Sequence, residues 1–299
     1  MSAHEFTEAQ ARKALAATGL SLGEARLVRM GSVAGFSLPD KGWLARVSPA
    51  DQGARLGHHE VAIARAMETA AVPAARLAPV DNQPIITDEG VVTLWEFIDH
   101  TPVADPSAAE MGKLCRSLHE ATSGGAPAVG PLDPLGIVES LLKDADQRAL
   151  ITAKDLVVLW KRHAELAAVW PILTASDPLG IALCHGDLHS GNALIGRFGV
   201  VLIDLETAGN GMRCYDHTAV LAHHLLYGRP PKHYNAFADS YGFDIRTWDA
   251  HRTLCDVYAM WTTAWAVAYR ERSADVDREA EVRLDYWRAK RPTTPWTLR

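Results

Sequence analysis

Between Cys184 and Asn192 the chain reads Cys-His-Gly-Asp-Leu-His-Ser-Gly-Asn, and between Val201 and Glu206 it reads Val-Leu-Ile-Asp-Leu-Glu. Asp187 therefore stands five residues before Asn192, and a second aspartate, Asp204, follows a short apolar hairpin. A carboxylate, an amide and a carboxylate in this order suit phosphoryl transfer. One carboxylate orients and deprotonates a substrate hydroxyl, while the amide oxygen and the other carboxylate hold the magnesium ions that bridge ATP phosphates.

Local patterning supplies the elements that must place these groups. Gly180 to Cys184 is a short apolar run leading into the loop. Ala193-Leu194-Ile195, a turn at Gly196-Arg197-Phe198-Gly199 and a returning strand Val200 to Ile203 predict a hairpin that delivers Asp204 beside Asp187. Protein kinases use His-Arg-Asp, an asparagine five residues later and Asp-Phe-Gly for the same three jobs. Here His-Gly-Asp and Ile-Asp-Leu-Glu take those places.

The pattern resembles the aminoglycoside phosphotransferase and choline kinase family, the small-molecule branch of the protein-kinase-like fold. That resemblance implies an α+β, bilobal architecture: a small N-terminal lobe with an antiparallel sheet plus a helix, and a larger, mainly helical C-terminal lobe. It also implies Asp187 as catalytic base, Asn192 and Asp204 as Mg2+ ligands, and His185 and Glu206 as residues that shape the loop or assist the metal.

A kinase of this kind needs a phosphate loop, a cation on a strand and a glutamate on the next helix. Glu24 to Met30 alternates as a half-buried strand, Gly31-Ser32-Val33-Ala34-Gly35 turns, and Phe36 starts the return. Ser32 and its turn could lie over phosphates, although a plain hairpin predicts the same letters. Trp43 to Val47 is a strand at the position that carries the phosphate-pairing lysine in the family, and this chain has Arg46 there. Arginine keeps a fixed charge and a forked donor set. Arg55 to Ala71 reads as a helix with Glu60 near its start, the expected partner of Arg46; an ordinary first-turn carboxylate is the alternative. Val91 to Ile98 resembles the last small-lobe strand and the hinge, where backbone groups at Glu96 and Ile98 would bond adenine. The lobe boundary falls there, giving a nucleotide-binding lobe over 1–98 and a catalytic and substrate-binding lobe over 99–299.

Further along, Met111 to His119 and Ala153 to Trp170 have helical periodicity, with Pro171 and Asp177-Pro178 bracketing the approach to the catalytic strand. His119 reads as structural. Gly209 to Asp216 resembles a family stretch that ends in an aspartate before an apolar helix, and Asp216 is expected to cap that helix or to face substrate. Trp261 and Trp265 lie one helical turn apart and read as core, or as the wall of a pocket for a sugar or quaternary amine. From Asp204 to Asp256 seven acids face five bases, a balance that names no polycationic acceptor.

Composition suits an enzyme of one large bilobal domain: 299 residues, 48% hydrophobic and 22% charged. Four scattered cysteines argue for reduced thiols in the cytoplasm and against a disulfide framework or zinc site. A formal charge of −6 disfavours nucleic acid. No basic leader precedes an apolar core and no apolar run reaches membrane-spanning length, so neither secretion nor anchoring is expected. The expectation is an ATP- and Mg2+-dependent kinase acting on a hydroxyl of a small molecule, as a monomer or homodimer. Aminoglycoside-like antibiotics, and with them antibiotic resistance, and amino sugars lead as acceptors, ahead of choline-like alcohols. A nucleotide-binding pseudokinase, suggested by Arg46, and a protein kinase are the rivals; Asp-Phe-Gly and Ala-Pro-Glu, the marks of a protein kinase, are absent.

Overall fold

The structure is a computed structural model that describes residues 6–31, 33–100, 105–289 and 294–297. Ser32 and the basic pair Lys290-Arg291 lie outside the described residues. The chain divides into two compact units. The first comprises residues 1–105, 127–130 and 193–206, and the second comprises 106–126, 131–192 and 207–299.

The first unit is built on five antiparallel strands, β1 (Arg26–Arg29), β2 (Ala34–Leu38), β3 (Trp43–Ser48), β4 (Ile85–Thr87) and β5 (Gly90–Glu96), in the order β1-β2-β3-β5-β4. Period-two alternation explains its core: Phe36, Leu38, Ala45, Val47, Val92 and Leu94 point one way and pack against Ala11, Ala14 and Leu15 of α1 (Glu8–Ala17). A Thr7/Gln10 capping box starts α1. β1, an edge strand, is shorter than its sequence pattern and exposed at all four positions. Helix α2 (Ala50–Thr69) begins five residues earlier than its periodicity indicates, directly after Pro49. Glu60 is thus in mid-helix, out of reach of the N-terminal dipole.

Two further strands belong to this unit, β7 (Ala193–Gly196) and β8 (Gly199–Leu202), paired antiparallel. Leu202 N–H donates to Pro73 O at 2.9 Å, and Ala75 N–H donates to Leu202 O at 2.7 Å, stitching the hairpin to the segment after α2. Asp204 follows at φ +59°, a left-handed conformation that aspartate tolerates better than most residues.

The second unit is mainly helical: α3 (Ala108–Ala121), α4 (Pro134–Gln147), α5 (Ala153–Ser176), α6 (Thr218–Leu225), α7 (Pro231–Tyr241), α8 (His251–Ala268) and α9 (Ala274–Ala289), with β6 (Ile181–Cys184) paired to β9 (Gly209–Met212). Contrary to the sequence reading, α5 continues through Pro171 to Ser176. Trp296 is buried at 2% exposure under the Arg283 guanidinium, 4.9 Å from its ring centroid, and its backbone N–H donates to Leu226 O at 2.9 Å. Glu279 pairs with Arg283 at 3.0 Å and accepts the Thr297 hydroxyl at 2.7 Å and backbone N–H at 3.0 Å.

Two histidines of this unit are buried in neutral form. His217 packs edge-on to Tyr241 and Phe237, and burial, followed by the nearby His119, pushes its pKa down to about 3. Burial, then His189, does the same to His223, also to about 3. Above pH 6.5, the ordinary histidine value, both states are neutral. Below it the unfolded chain binds protons that the folded chain refuses, so stability falls as pH drops from 6.5 towards 3. Denaturant titrations should show a loss of about 2 kcal/mol per histidine between pH 7 and pH 5. His223→Phe should remove about half of it, whereas a flat profile would refute the neutral burial.

Candidate active site

In the second unit, β6 carries the chain into the loop at Cys184, and Gly186 makes the turn that presents Asp187. Gly186 has φ +84°, and a Cβ there would stand 2.4 Å from Thr207 O, so both the conformation and the close approach require glycine. Three bonds hold the loop from behind. Asp216 accepts the backbone N–H of His185 and of Gly186, each at 2.8 Å, and Thr207 Oγ1 donates to His185 O at 3.0 Å.

Asp187 is clasped on both oxygens. Tyr258 donates its hydroxyl to Oδ1 at 3.1 Å, Asn192 Nδ2 donates to Oδ2 at 2.8 Å, and His189 Nε2 lies 3.4 Å from Oδ2. Burial works to raise the pKa of this carboxyl, but His189, His185 and the Tyr258 hydroxyl outweigh it and hold the value at about 2. The group is therefore an anion throughout the physiological range. Asn192 spends its N–H groups on Asp187, on the carboxylate and on the backbone oxygen at 2.9 Å, which leaves its amide oxygen as the donor atom for a cation.

In the first unit, Arg46 on β3 is the centre of a charge cluster. Its Nη2 lies 2.9 Å from Glu60 and 3.6 Å from Glu206, and its Nη1 lies 3.4 Å from Asp204. Burial works to lower the Arg46 pKa, but the three carboxylates prevail and raise it. Glu60 is the converse case, because burial and then the Asp204 charge push its carboxyl up against the pull of Arg46. Oxygens of Glu60, Asp204 and Glu206 lie within 4.8 Å of one another. Three carboxylates and one guanidinium form a hard, oxygen-rich, net negative set of the kind that divalent cations such as Mg2+ take. If Arg46 is the phosphate-pairing cation, Arg46→Ala will raise the Michaelis constant for ATP or cut turnover and will also lower stability, since it leaves the buried Glu60 without its cation, whereas Arg46→Lys will retain part of the activity. Wild-type kinetics in both variants would transfer the role to another cation.

At the end of β5, Glu96 N–H donates to Arg76 O at 2.8 Å, Phe97 N–H to Gly42 O at 2.9 Å, and Ile98 O is 3.0 Å from His100 Nδ1. Several residues have surroundings other than those expected. Asp216 neither caps a helix nor faces solvent: it is 1% exposed and fully engaged by the loop and by His119 Nε2, 3.0 Å away. His185 is completely buried, with Nδ1 3.4 Å from the Asp187 N–H it accepts, so its ring braces the loop. Trp261 and Trp265 are half-buried rather than core; Trp261 leans on Tyr258 at 5.6 Å and Trp265 on Tyr269 at 5.4 Å. Tyr258 and His189 were missed as partners of Asp187. His189 lies inside the motif, whereas Tyr258 is 71 residues away and offered no spacing signal.

The sequence pattern of the APH phosphotransferase enzyme family matches residues 36–254. No match is found among curated protein sequences. Among solved structures, the chain is similar to the amicoumacin kinase hAmiN bound to AMP-PNP, Ca2+ and Ami (TM-score 0.69, 15% identity, covering 98% of this chain and 96% of that one). It is also similar to the aminoglycoside phosphotransferase APH(3'')-Id of Streptomyces rimosus with ADP and streptomycin (TM-score 0.65, 18% identity, 86% and 99%). A third is the choline kinase LicA of Streptococcus pneumoniae (TM-score 0.62, 14% identity, 93% and 98%). These likenesses show the protein-kinase-like α+β fold. Since the family pattern runs from β2 through the Asp187 loop to the first turn of α8, the chain belongs to the phosphotransferase enzyme family.

Proposed function

We propose that the protein transfers the terminal phosphoryl group of ATP, with a divalent cation such as Mg2+, to a hydroxyl of a small molecule, with Asp187 as the base. The observation that carries this reading is the clasp on Asp187: an ionised carboxylate fixed by Tyr258 and Asn192, in a loop braced from behind by Asp216. A bound cation would neutralise charge developing on the phosphates. Asn192 and Asp204 are its proposed ligands, with Glu206 assisting, and Arg46, held by Glu60, is the proposed phosphate cation. Glu96 and Ile98 are assigned to the adenine contact and Ser32 to the phosphate turn, with 1–98 as the nucleotide-binding lobe and 99–299 as the catalytic and substrate-binding lobe. His185 is assigned to holding the loop.

AMP-PNP with Ca2+ in one neighbour and ADP in another support the nucleotide assignment. For the acceptor, aminoglycoside-like antibiotics and amino sugars come first, with a role in antibiotic resistance and a cytoplasmic location. Choline-like alcohols come second, because the half-buried Trp261 beside Tyr258 offers an aromatic face to a quaternary amine. A regulatory pseudokinase remains the reading favoured by Arg46 in place of lysine. The deciding experiment incubates the protein with ATP, Mg2+ and a panel of aminoglycosides, amino sugars and amino alcohols, reading ADP and phosphorylated product. One acceptor turned over with Asp187-dependent kinetics supports transfer; ATP binding without ADP formation across the panel supports the pseudokinase.

A further inference from the structure

Trp296 and the Asp187 loop are far apart in the chain, yet within the second unit an unbroken row of rings joins them. At its inner end is His189, whose Nδ1 accepts the Gly191 N–H at 3.0 Å. The proton therefore sits on Nε2, which faces Asp187 Oδ2 at 3.4 Å. A Cβ at Gly191 would stand 2.7 Å from His189 Cε1, so the ring fills the space that the glycine leaves. His223 of α6 packs against His189 with ring centroids 5.4 Å apart, Tyr227 lies edge-on to His223 at 5.0 Å, and Trp296 lies edge-on to Tyr227 at 5.7 Å.

A second row reaches the other oxygen of the same carboxylate. The Arg283 guanidinium lies over the Trp296 ring; its Nη1 donates to Thr262 O at 2.7 Å and its Nη2 to the Tyr227 hydroxyl at 3.3 Å. Thr262 stands about one helical turn after Tyr258 on α8, and Tyr258 gives its hydroxyl to Asp187 Oδ1 at 3.1 Å. Both rows meet at Trp296, which is itself tied down: its backbone N–H bonds Leu226 O at 2.9 Å, and the Thr297 hydroxyl bonds Glu279, the partner of Arg283, at 2.7 Å. None of His189, His223, Arg283 and Trp296 is more than 8% exposed. A close-packed interior passes a displacement on, whereas removal of the indole would leave a cavity beside Tyr227 and let both rows slacken.

We infer that Trp296 is a positioning residue for phosphoryl transfer: by closing both rows it fixes the two oxygens of Asp187 without touching that residue. The segment 294–297 is then a working part of the active site. This rests on Asp187 as the base, because a reacting group displaced by ~1 Å loses about a hundredfold in rate.

The test uses Trp296→Ala, Trp296→Phe and Thr297→Val in the full chain, with Leu142→Ala, a buried position of α4 outside both rows, as the control for lost stability. Turnover is read as slow hydrolysis of ATP to water at saturating Mg2+, and amide hydrogen exchange is followed by NMR. Trp296→Ala should lower turnover per folded molecule roughly tenfold, with the Michaelis constant for ATP within about twofold of wild type. Its Gly191 amide should exchange roughly tenfold faster, while Ala182 and Leu183 of β6 keep their protection. Trp296→Phe keeps a ring and should recover part of both, and Thr297→Val should show the same changes at smaller size. Leu142→Ala should keep the turnover of its folded fraction. Combined with His223→Ala, the loss in Trp296→Ala should fall short of the product of the two single losses, since both act on one row. If Trp296→Ala does not fold, Trp296→Phe and Thr297→Val decide. Unchanged Gly191 exchange in the folded variants overturns the inference, as do faster exchange with turnover intact, an equal loss in Leu142→Ala, and a full product in the double variant. A wild-type protein that hydrolyses no ATP counts against phosphoryl transfer alone, and Gly191 exchange still reports whether Trp296 holds the loop.

Discussion

Asp187→Asn will keep its fold and its ATP binding and will lose about two to four decades of turnover, the usual contribution of a positioned general base. The change is isosteric. An asparagine can turn its NH2 end towards Tyr258, whose hydroxyl can accept as well as donate, while its oxygen still accepts from Asn192. What disappears is the anion proposed to take the acceptor proton. Two to four decades correspond to about 3 to 5 kcal/mol of transition-state stabilisation. Steady-state rates with ATP and an acceptor from the panel, beside a thermal melt, measure both halves, and unchanged turnover in a folded variant would remove Asp187 from the mechanism. Because its pKa is held at about 2, the wild-type rate should show no acid limb from this group above about pH 4.

Asp204→Ala should abolish divalent-cation-dependent turnover and weaken Mg-ATP more than free ATP. Alanine at φ +59° carries its own backbone cost of about 1 to 2 kcal/mol, so Asp204→Asn is the necessary companion: it tolerates the left-handed conformation and removes only the charge. Both variants inactive and folded would show that the charge is what matters. Calorimetric titrations giving wild-type magnesium dependence in both would overturn the assignment. Asn192→Ala should move in the same direction by less, since an amide oxygen is the weaker ligand.

The residues legible in the sequence were those whose partners lie close by in the chain. Asp187, Asn192 and Asp204 stood out as candidates because one loop and one hairpin carry all three, and hairpin and loop chemistry leaves local letters. β3 and β5 were legible from their place in the order of the family resemblance, and α3 from its helical periodicity. The rest depends on contacts that no spacing encodes. Tyr258 reaches Asp187 across 71 positions and His119 reaches Asp216 across 97, so neither could be paired before the fold was known. Asp216 looked like a cap because aspartate before an apolar helix usually is one, but two backbone donors in the loop claimed its carboxylate first. The start of α2 was misjudged because Ala50 to Ala54 carry little apolar signal, and the error put Glu60 in the first turn instead of mid-helix. Pro171 suggested a break that the helix did not make; α5 absorbs one missing N–H and runs on.

The way Trp296 and Thr297 are seated bears on how this protein tolerates change. Here the final described residues complete the surroundings of a buried acid: Thr297 supplies two donors to Glu279, and Trp296 covers Arg283. Substitutions at Trp296 and Thr297 would uncover Arg283 and strip Glu279 of the two Thr297 donors, leaving Arg283 as its partner. Drift in this lineage should therefore be slower at Trp296 and Thr297 than across the exposed β1 strand.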